Sequence, residues 1–245
     1  MIEQTLDIAT RDGAMTTFIA HPERDGPFPV VLFYMDAPAI REELRDMARR
    51  IAAVGYYVML PNLYYRRGVM ELSALPPRPE AEARARMFDL MGSLTIPLVM
   101  ADTAALLDFA DRDPAASRGP AGAIGYCMSG QYAINAAARH PERIACAASL
   151  YGVQLVTDQP DSPHLAAQKT PAELYFACAE HDPYAPLEMV EALSDAVKPA
   201  GARVEVEVYP GVHHGFAFPQ RAVYDKPAAE RHWERLFALF ARNLA

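Results

Sequence analysis

Cys127 lies where a run of small residues passes from a strand-like pattern to a helical one. In the segment AIGYCMSG (123–130), Gly125 stands two positions before the thiol and Ser129 two positions after it. A nucleophile on a sharp strand-to-helix turn needs such small flanking residues. The turn also places the thiol at a helix N-terminus, where partial positive charge favours the reactive thiolate. The pattern predicts a nucleophilic cysteine; the alternative is a small apolar residue buried at a strand end.

A nucleophilic cysteine needs a base, and the base needs an acid that orients it. In an elbow-type α/β fold, these two residues follow the nucleophile in the order acid, then histidine. Asp182 follows the apolar segment 172–179, and the pair His213 and His214 follows the segment 203–209. We therefore expect Asp182 and one of the two histidines to complete a catalytic triad.

Other side chains compete for these roles. Glu180 and His181 share the acid loop with Asp182, and an aspartate before a proline is often only a turn former. Ser129 is a possible serine nucleophile, but its own flanking residues do not suit the turn. The histidine pair together with His181 also suggests a metal site, although no further ligand pair has regular spacing. We expect neither a metal nor a cofactor.

The other two cysteines, Cys146 and Cys178, lie inside apolar, strand-like segments, and we expect both in the core. Three cysteines cannot all pair with one another, and none has a C-x-x-C spacing. The composition therefore excludes a secreted disulfide scaffold and a cysteine-based zinc site.

Charge and hydropathy narrow the possible partners. The formal net charge is −8 at pH 7, and no cluster of basic residues suggests a nucleic-acid surface. The N-terminal sequence MIEQTLDIAT lacks the basic and apolar regions of a signal peptide. No apolar run reaches the length of about 20 residues that spans a bilayer. We expect a cytoplasmic protein that binds neither nucleic acid nor membrane.

The elements that must position these residues alternate between strand-like and helix-like segments. Strands are predicted at 2–8, 14–20, 29–35, 56–61, 121–126, 144–151, 172–179 and 203–209. Helices are predicted at 40–54, 81–92, 98–111, 128–139, after Pro186 and at the C-terminus, with loops at 62–80 and 153–170. This alternation predicts one α/β domain over 1–245, with a mostly parallel central sheet and helices on both faces. Active sites of such sheets lie beyond the carboxyl ends of the strands.

Four segments together resemble the dienelactone hydrolase family, a branch of the α/β-hydrolases that uses a Cys-Asp-His triad. They are GYCMSG, HDPY, YPGVHHGFAFP and GYYVMLPNLYYRRG. The resemblance extends over nearly the whole chain, from the strand at 29–35 to the C-terminal helix. It implies an α/β-hydrolase fold without a large cap domain and a hydrolase of ester, lactone or thioester bonds.

The resemblance also assigns roles to single residues. It matches Cys127 to the nucleophile, Asp182 to the acid and His214 to the base. His214 is preferred over His213 because the histidine of the family directly precedes a small residue and a phenylalanine, here Gly215-Phe216.

Three further positions near the nucleophile follow from the resemblance. The backbone N–H groups of Met128 and Ala37 match the two donors to the oxyanion. The residue before the second donor is a glutamate in characterised members and Asp36 in this chain. The shorter Asp36 side chain is expected to contact the resting thiol differently; the alternative is a turn or helix-capping residue.

The substrate positions depart from the family pattern. Dienelactone hydrolase binds a substrate carboxylate through two arginines and a tyrosine, and the matching positions here are Arg84, Phe88 and Phe218. Losing charged hydrogen bonds worth about 1.5–3 kcal/mol each argues against a carboxylate-bearing dienelactone. We expect a small, relatively apolar ester, lactone or thioester. The pocket mouth is predicted to include Tyr184, Tyr64, Tyr65 and Arg66, all equally suited to surface or packing positions.

A second function stays open at this point. The same scaffold could bind a small molecule without hydrolysing it, or respond to oxidants through Cys127. Asp36 in place of glutamate and the lost carboxylate ligands favour that alternative. The sequence is compatible with a monomer or a homodimer.

Overall fold

The computed structural model describes residues 1–198 and 203–244, and it confirms the α/β class. Contacts divide the chain into two compact units, Met1–Arg118 and Gly119–Ala245, referred to below as unit 1 and unit 2. A single domain over 1–245 stays a prediction.

Unit 1 combines a β-hairpin, two further strands and three helices. Its strands are β1 (Ile2–Thr10), β2 (Gly13–His21), β3 (Val30–Tyr34) and β4 (Tyr57–Pro61), and its helices are α1 (Glu42–Ala52), α2 (Glu80–Gly92) and α3 (Ile96–Ala110). The strand order is β1-β2-β4-β3. The β1–β2 and β2–β4 pairs are antiparallel, and the β3–β4 pair is parallel.

Burial explains two of these elements and corrects one prediction. Every residue of β3 is buried, as its continuous run of apolar residues predicts for a strand covered on both faces. Helix α1 buries Leu44, Met47 and Ile51 at helical spacing. Val54 was predicted to continue that series, but the helix ends at Ala52 and Val54 is exposed.

Unit 2 contains a fully parallel set of strands. Its strands are β5 (Ala121–Tyr126), β6 (Ile144–Leu150), β7 (Glu173–His181) and β8 (Val204–His213), and its helices are α4 (Gly130–Arg139), α5 (Pro163–Ala167), α6 (Leu187–Val197) and α7 (Lys226–Asn243). The order β5-β6-β7-β8 follows the chain, and each neighbouring pair is parallel. The carboxyl ends of these strands therefore lie at one edge of the unit.

The structure differs from the predicted elements at three places in unit 2. The predicted loop 153–170 contains the short helix α5. Strands β7 and β8 extend further than predicted, to His181 and His213. By contrast, β5 has the predicted bounds, so Cys127 directly follows the strand.

Side-chain caps start two of the helices. The Thr95 hydroxyl accepts a hydrogen bond from the Leu98 N–H before α3, and the Asp225 carboxylate accepts one from the Ala228 N–H before α7. Both helices also carry a proline in the first turn, where the missing N–H has no intrahelical partner to lose.

Within the described residues, no single helix has both the length and the hydropathy of a membrane span; α2 and α3 reach them only as a pair, bent by 71°.

Candidate active site

Cys127 occupies a strained turn between β5 and α4. Its φ is +56°, in the left-handed region that non-glycine residues rarely adopt. Residues Cys127–Ser129 form one turn of 3₁₀ helix before α4 begins at Gly130. A side chain at Gly125 would place its Cβ 2.0 Å from the Ser129 carbonyl oxygen, so only glycine fits there. This is the geometry of a nucleophile elbow.

A second close packing lies behind the elbow. A Cβ on Gly130 would come within 2.2 Å of the Ser149 Oγ, and a Cβ on Gly152 within 2.1 Å of the same atom. The Ser149 side chain on β6 is fully buried, and the described residues offer its hydroxyl no hydrogen-bond partner. Sequence reasoning missed this contact, although the small residues of SLYG (149–152) carry its signal.

Asp182 and His214 come together at the ends of β7 and β8. The Asp182 Oδ2 lies 2.6 Å from the His214 Nδ1. The Oδ1 of the same carboxylate accepts hydrogen bonds from the backbone N–H groups of Tyr184 at 2.9 Å and Ala185 at 3.2 Å. The carboxylate is therefore held on both oxygens, and the Asp182 side chain has no exposed surface.

The His214 imidazole links the carboxylate to the thiol. Besides its bond with Asp182, the ring lies close enough to the Cys127 side chain for the thiol to raise the pKa of the imidazole. Burial acts to lower the pKa of His214, but the hydrogen bonds and charges of Asp182 and Cys127 outweigh it and raise the pKa to about 9. The structure thus brings together the three residues predicted as a triad, all within unit 2.

Two tyrosines flank the imidazole. The Tyr151 and Tyr184 rings each meet the His214 ring edge-on, with centroids 5.0 Å away. Tyr151 is buried and has a φ of +37°, whereas Tyr184 is exposed. The predicted pocket residue Tyr184 is therefore beside the base, while Tyr151 was not predicted from the sequence.

The competing residues have other contacts. The Glu180 carboxylate accepts the Gly211 N–H at 2.6 Å, and the His181 ring packs against the His213 ring. Ser129 is buried at the end of the 3₁₀ turn. Cys146 and Cys178 are buried as predicted, and burial raises the pKa of each thiol to about 12.

Met128 follows the thiol in the 3₁₀ turn. Its side chain is buried, and its carbonyl accepts a hydrogen bond from the Gln131 side chain at 2.9 Å. The Cys127 carbonyl in turn accepts the Val153 N–H at 3.2 Å. These bonds fix the two peptide groups on either side of Met128.

In unit 1, Asp36 and Ala37 lie just past β3. The Asp36 carboxylate is fully buried and receives two hydrogen bonds from the Arg41 guanidinium, at 2.6 and 3.1 Å. Arg41 also binds Glu43, and the Tyr64 hydroxyl donates to the Ala37 carbonyl at 3.0 Å. The N-cap of α1 is Arg41, so Asp36 is not the helix cap considered above. Sequence reasoning missed Arg41, five residues along the chain.

The other predicted pocket residues of unit 1 are placed as follows. On α2, the Arg84 guanidinium lies 5.6 Å from the centre of the Phe88 ring, and Phe88 is 37% exposed. A substrate role for this pair stays a prediction. Tyr65 and Arg66 are instead bound to the buried carboxylate of Asp102, through contacts of 2.8–2.9 Å.

Phe218, which the family resemblance places in the substrate pocket, is a core residue of unit 2 in the structure. Its side chain is fully buried and packs against Tyr126 and Tyr151, with ring centroids 5.4 and 6.0 Å away. The Arg221 guanidinium lies 5.1 Å from the centre of the Phe218 ring. Aromatic packing in the core of unit 2 accounts for this phenylalanine, and a substrate role for it stays a prediction.

Comparisons with known proteins cover almost the whole chain. The sequence profile of the dienelactone hydrolase family matches residues 15–244. A Methylorubrum extorquens protein named "Putative carboxymethylenebutenolidase" is 27% identical over 240 residues, 96% of this chain and 79% of that protein. An Escherichia coli K12 protein of the same name is 28% identical over 241 residues, 95% of this chain and 84% of that protein.

A solved structure shows the same fold. The crystal structure of a "Putative Dienelactone Hydrolase" from Klebsiella pneumoniae has a TM-score of 0.87 at 27% identity, and the match covers 98% of each chain. The α/β-hydrolase fold implied by the sequence motifs is thereby confirmed. With a profile match over most of its length, the chain belongs to the dienelactone hydrolase family and is a hydrolase.

Proposed function

We propose that this hydrolase cleaves ester, lactone or thioester bonds by transferring the acyl group to Cys127 and then to water. The observation that carries the proposal is the 2.6 Å contact between the Asp182 Oδ2 and the His214 Nδ1, together with the interaction of the His214 ring with Cys127, at the ends of three parallel strands. A nucleophile, a base in contact with it and an acid that orients the base are the parts that covalent acyl transfer requires.

In the first half of the reaction, His214 takes the proton of the Cys127 thiol and the sulfur attacks the substrate carbonyl carbon. The new carbon–sulfur bond moves the carbonyl π electrons onto oxygen. When this tetrahedral intermediate collapses, the bond to the leaving group breaks, and the leaving atom, oxygen in an ester or lactone and sulfur in a thioester, takes the proton from His214. The product of this half is a thioester on Cys127.

The oxyanion is assigned to the backbone N–H group of Met128. Support for Met128 is its place directly after the thiol in the 3₁₀ turn. Donors fixed before the reaction stabilise the charge without reorganisation.

In the second half, His214 takes a proton from water and the resulting hydroxide attacks the thioester carbon. The carbon–sulfur bond then breaks, the acid product leaves, and the thiolate recovers its proton from His214. Asp182 holds the imidazole in one orientation in both halves and stabilises its positive charge. No step needs a cofactor.

The substrate we propose is small and relatively apolar, and Phe218 at the position of a family arginine supports this choice. The relatives named carboxymethylenebutenolidase, and one named "Probable 2-oxo-3-(5-oxofuran-2-ylidene)propanoate lactonase", support a lactone.

One observation favours an acidic substrate as a second candidate. A Cβ on Gly215 would lie 3.1 Å from the Arg221 side chain, which places that cation beside the residue that follows His214.

A substrate panel tests the proposal. We expect a neutral aryl ester and a neutral lactone to be hydrolysed with a higher kcat/KM than the same lactone bearing a carboxylate. The Cys127→Ala variant should lose at least about 10³-fold in kcat, because the covalent step is removed. The Ser129→Ala variant is the matched control and should retain the activity.

Three outcomes would contradict parts of the proposal. Full activity in Cys127→Ala removes the cysteine mechanism, and loss of activity in Ser129→Ala with Cys127 intact points to the serine. If the protein prefers the carboxylate-bearing lactone and the Arg221→Leu variant loses this preference, the substrate is acidic and the proposal of an apolar substrate is contradicted.

A further inference from the structure

His181 and His213 form a histidine pair beside the triad. The two residues are direct partners in the parallel β7–β8 register, each one position before a triad residue, Asp182 or His214. Side chains at matching positions of neighbouring parallel strands point to the same face, and the strands lie about 4.8 Å apart. The register therefore holds the two imidazoles on one face of the sheet.

The spacing of the two rings suits a shared ligand. The centroids of the His181 and His213 rings are 5.2 Å apart, with 41° between the ring planes. A metal ion about 2.1 Å from one nitrogen of each ring, with the two bonds at a right or tetrahedral angle, separates the ring centres by about 5 Å. The observed separation of the two ring centres therefore matches that of two imidazoles on one ion.

The pair is accessible and lies next to negative charge. The His181 side chain is 53% exposed, and the Glu180 Oε2 lies 3.9 Å from the His181 Nε2; His213 is exposed as well. Over residues 1–198 and 203–244, no three His, Cys, Asp or Glu side chains converge on one metal position. The protein thus supplies two imidazoles, and solvent must supply the remaining ligands.

The geometry points to a divalent transition-metal site at His181 and His213, which takes Ni²⁺, Cu²⁺ or Zn²⁺ and not Mg²⁺. Imidazole nitrogens are suitable ligands for Ni²⁺, Cu²⁺ and Zn²⁺, whereas Mg²⁺ requires oxygen ligands. A bound ion would tie together the backbone of the two residues that precede Asp182 and His214, and so would connect metal availability with the catalytic edge of unit 2.

The test uses the Cys127→Ala protein, because a thiol beside His214 is itself a potential metal ligand. NiCl₂ is titrated into this protein and followed by calorimetry, with MgCl₂ as the comparison. We expect one Ni²⁺ per chain and none of Mg²⁺. Adding His181→Asn or His213→Asn should weaken Ni²⁺ binding by about tenfold or more, since each change removes one of two protein ligands.

His140→Asn in the same Cys127→Ala background is the matched control, since His140 is a histidine near a single carboxylate, Glu142 at 3.8 Å. This variant should bind Ni²⁺ like its parent. Circular dichroism confirms that each variant is folded. The inference is overturned if the parent binds no Ni²⁺, or if His181→Asn and His213→Asn both bind it with the parent affinity.

Discussion

The three cysteines have surroundings that separate one partly exposed thiol from two buried ones. Cys127 is partly exposed at the elbow, whereas Cys146 and Cys178 are buried in β6 and β7. Burial raises the pKa of both buried thiols to about 12, so their thiolate fraction at neutral pH is negligible. Thiol chemistry on the folded protein should therefore be confined to Cys127.

The first prediction concerns this selectivity. Iodoacetamide at pH 7.5 should alkylate Cys127 in the folded protein and leave Cys146 and Cys178 unmodified, as measured by peptide mass spectrometry. In denaturant, all three thiols should react, which is the internal control. Equal labelling of a buried cysteine in the folded protein would contradict the prediction.

The second prediction concerns Asp182, the acid of the proposed triad. Asp182→Asn removes the charge that orients and stabilises the His214 imidazolium, so kcat/KM should fall by about 10²–10⁴ with the fold retained. Steady-state kinetics on a neutral ester measures the loss. Asp195→Asn, an exposed aspartate on α6 in the same unit, is the control and should keep the activity. If both variants behave alike, Asp182 does not act through the base.

At the scale of elements, the turn from β5 into α4 depends on glycine. A Cβ at Gly125 would lie 2.0 Å from a backbone oxygen, and backbone atoms cannot be displaced as cheaply as a flexible side chain. The strain at Cys127 is thus maintained by the packing around it rather than by the cysteine.

The third prediction follows from this packing. Gly125→Ala should lower the free energy of unfolding by about 3 kcal/mol or more, or abolish folding, because the strand and the turn must separate. Urea denaturation followed by circular dichroism measures the change. The control is Gly92→Ala in the last turn of α2, where nothing lies within 4 Å of the added Cβ. It should be neutral or stabilising by up to about 1 kcal/mol; a comparable loss in both variants would refute the packing argument.

How well the elements could be predicted depended on their local signal. The bounds of β5 were predicted correctly from the run of small residues before Cys127, because a buried strand followed by a turn has a clear sequence pattern. The short helix α5 lacked such a signal, since its five residues span little more than one turn. The ends of β7 and β8 also extended past the apolar residues into polar ones, where hydrophobic periodicity stops being informative.

At the scale of the whole molecule, the contact between Asp182 and His214 was predictable because chain order and strand ends determine it. Asp182 and His214 are 32 residues apart in sequence, and the parallel β7–β8 pairing brings them within 2.6 Å. The role of Phe218 was not predictable in this way. Its spacing from His214 is local, but its burial against Tyr126 arises from packing between distant segments.

The fourth prediction concerns acid stability. Glu173 at the start of β7 binds Arg242 and Asn243 near the end of α7. Burial acts to raise the pKa of Glu173, but these bonds and the nearby arginines outweigh it and lower the pKa below its ordinary value. A lowered pKa stabilises the fold above the pKa of the unfolded state, and this stabilisation is lost as pH falls through the folded pKa.

Glu173→Gln should therefore destabilise the protein by about 0.2–1 kcal/mol at pH 7, and the difference from wild type should shrink below about pH 4. Thermal unfolding at several pH values measures it. Glu191→Gln, an exposed glutamate on α6, is the control and should show a difference near zero throughout. A difference for Glu173→Gln that stays constant with pH would show that the charge is not its origin.

The packing behind the elbow has a consequence for how the chain can vary. Gly125, Gly130, Ser149 and Gly152 have atoms so close together that no larger side chain fits at three of them, yet none of the four takes part in a reaction step. In a saturation library selected for activity, these positions should therefore be as invariant as Cys127 or His214. Judged by tolerance to substitution alone, these positions would be counted as catalytic. Only measurements of folding made separately from turnover would show that their role is to shape the turn that holds Cys127.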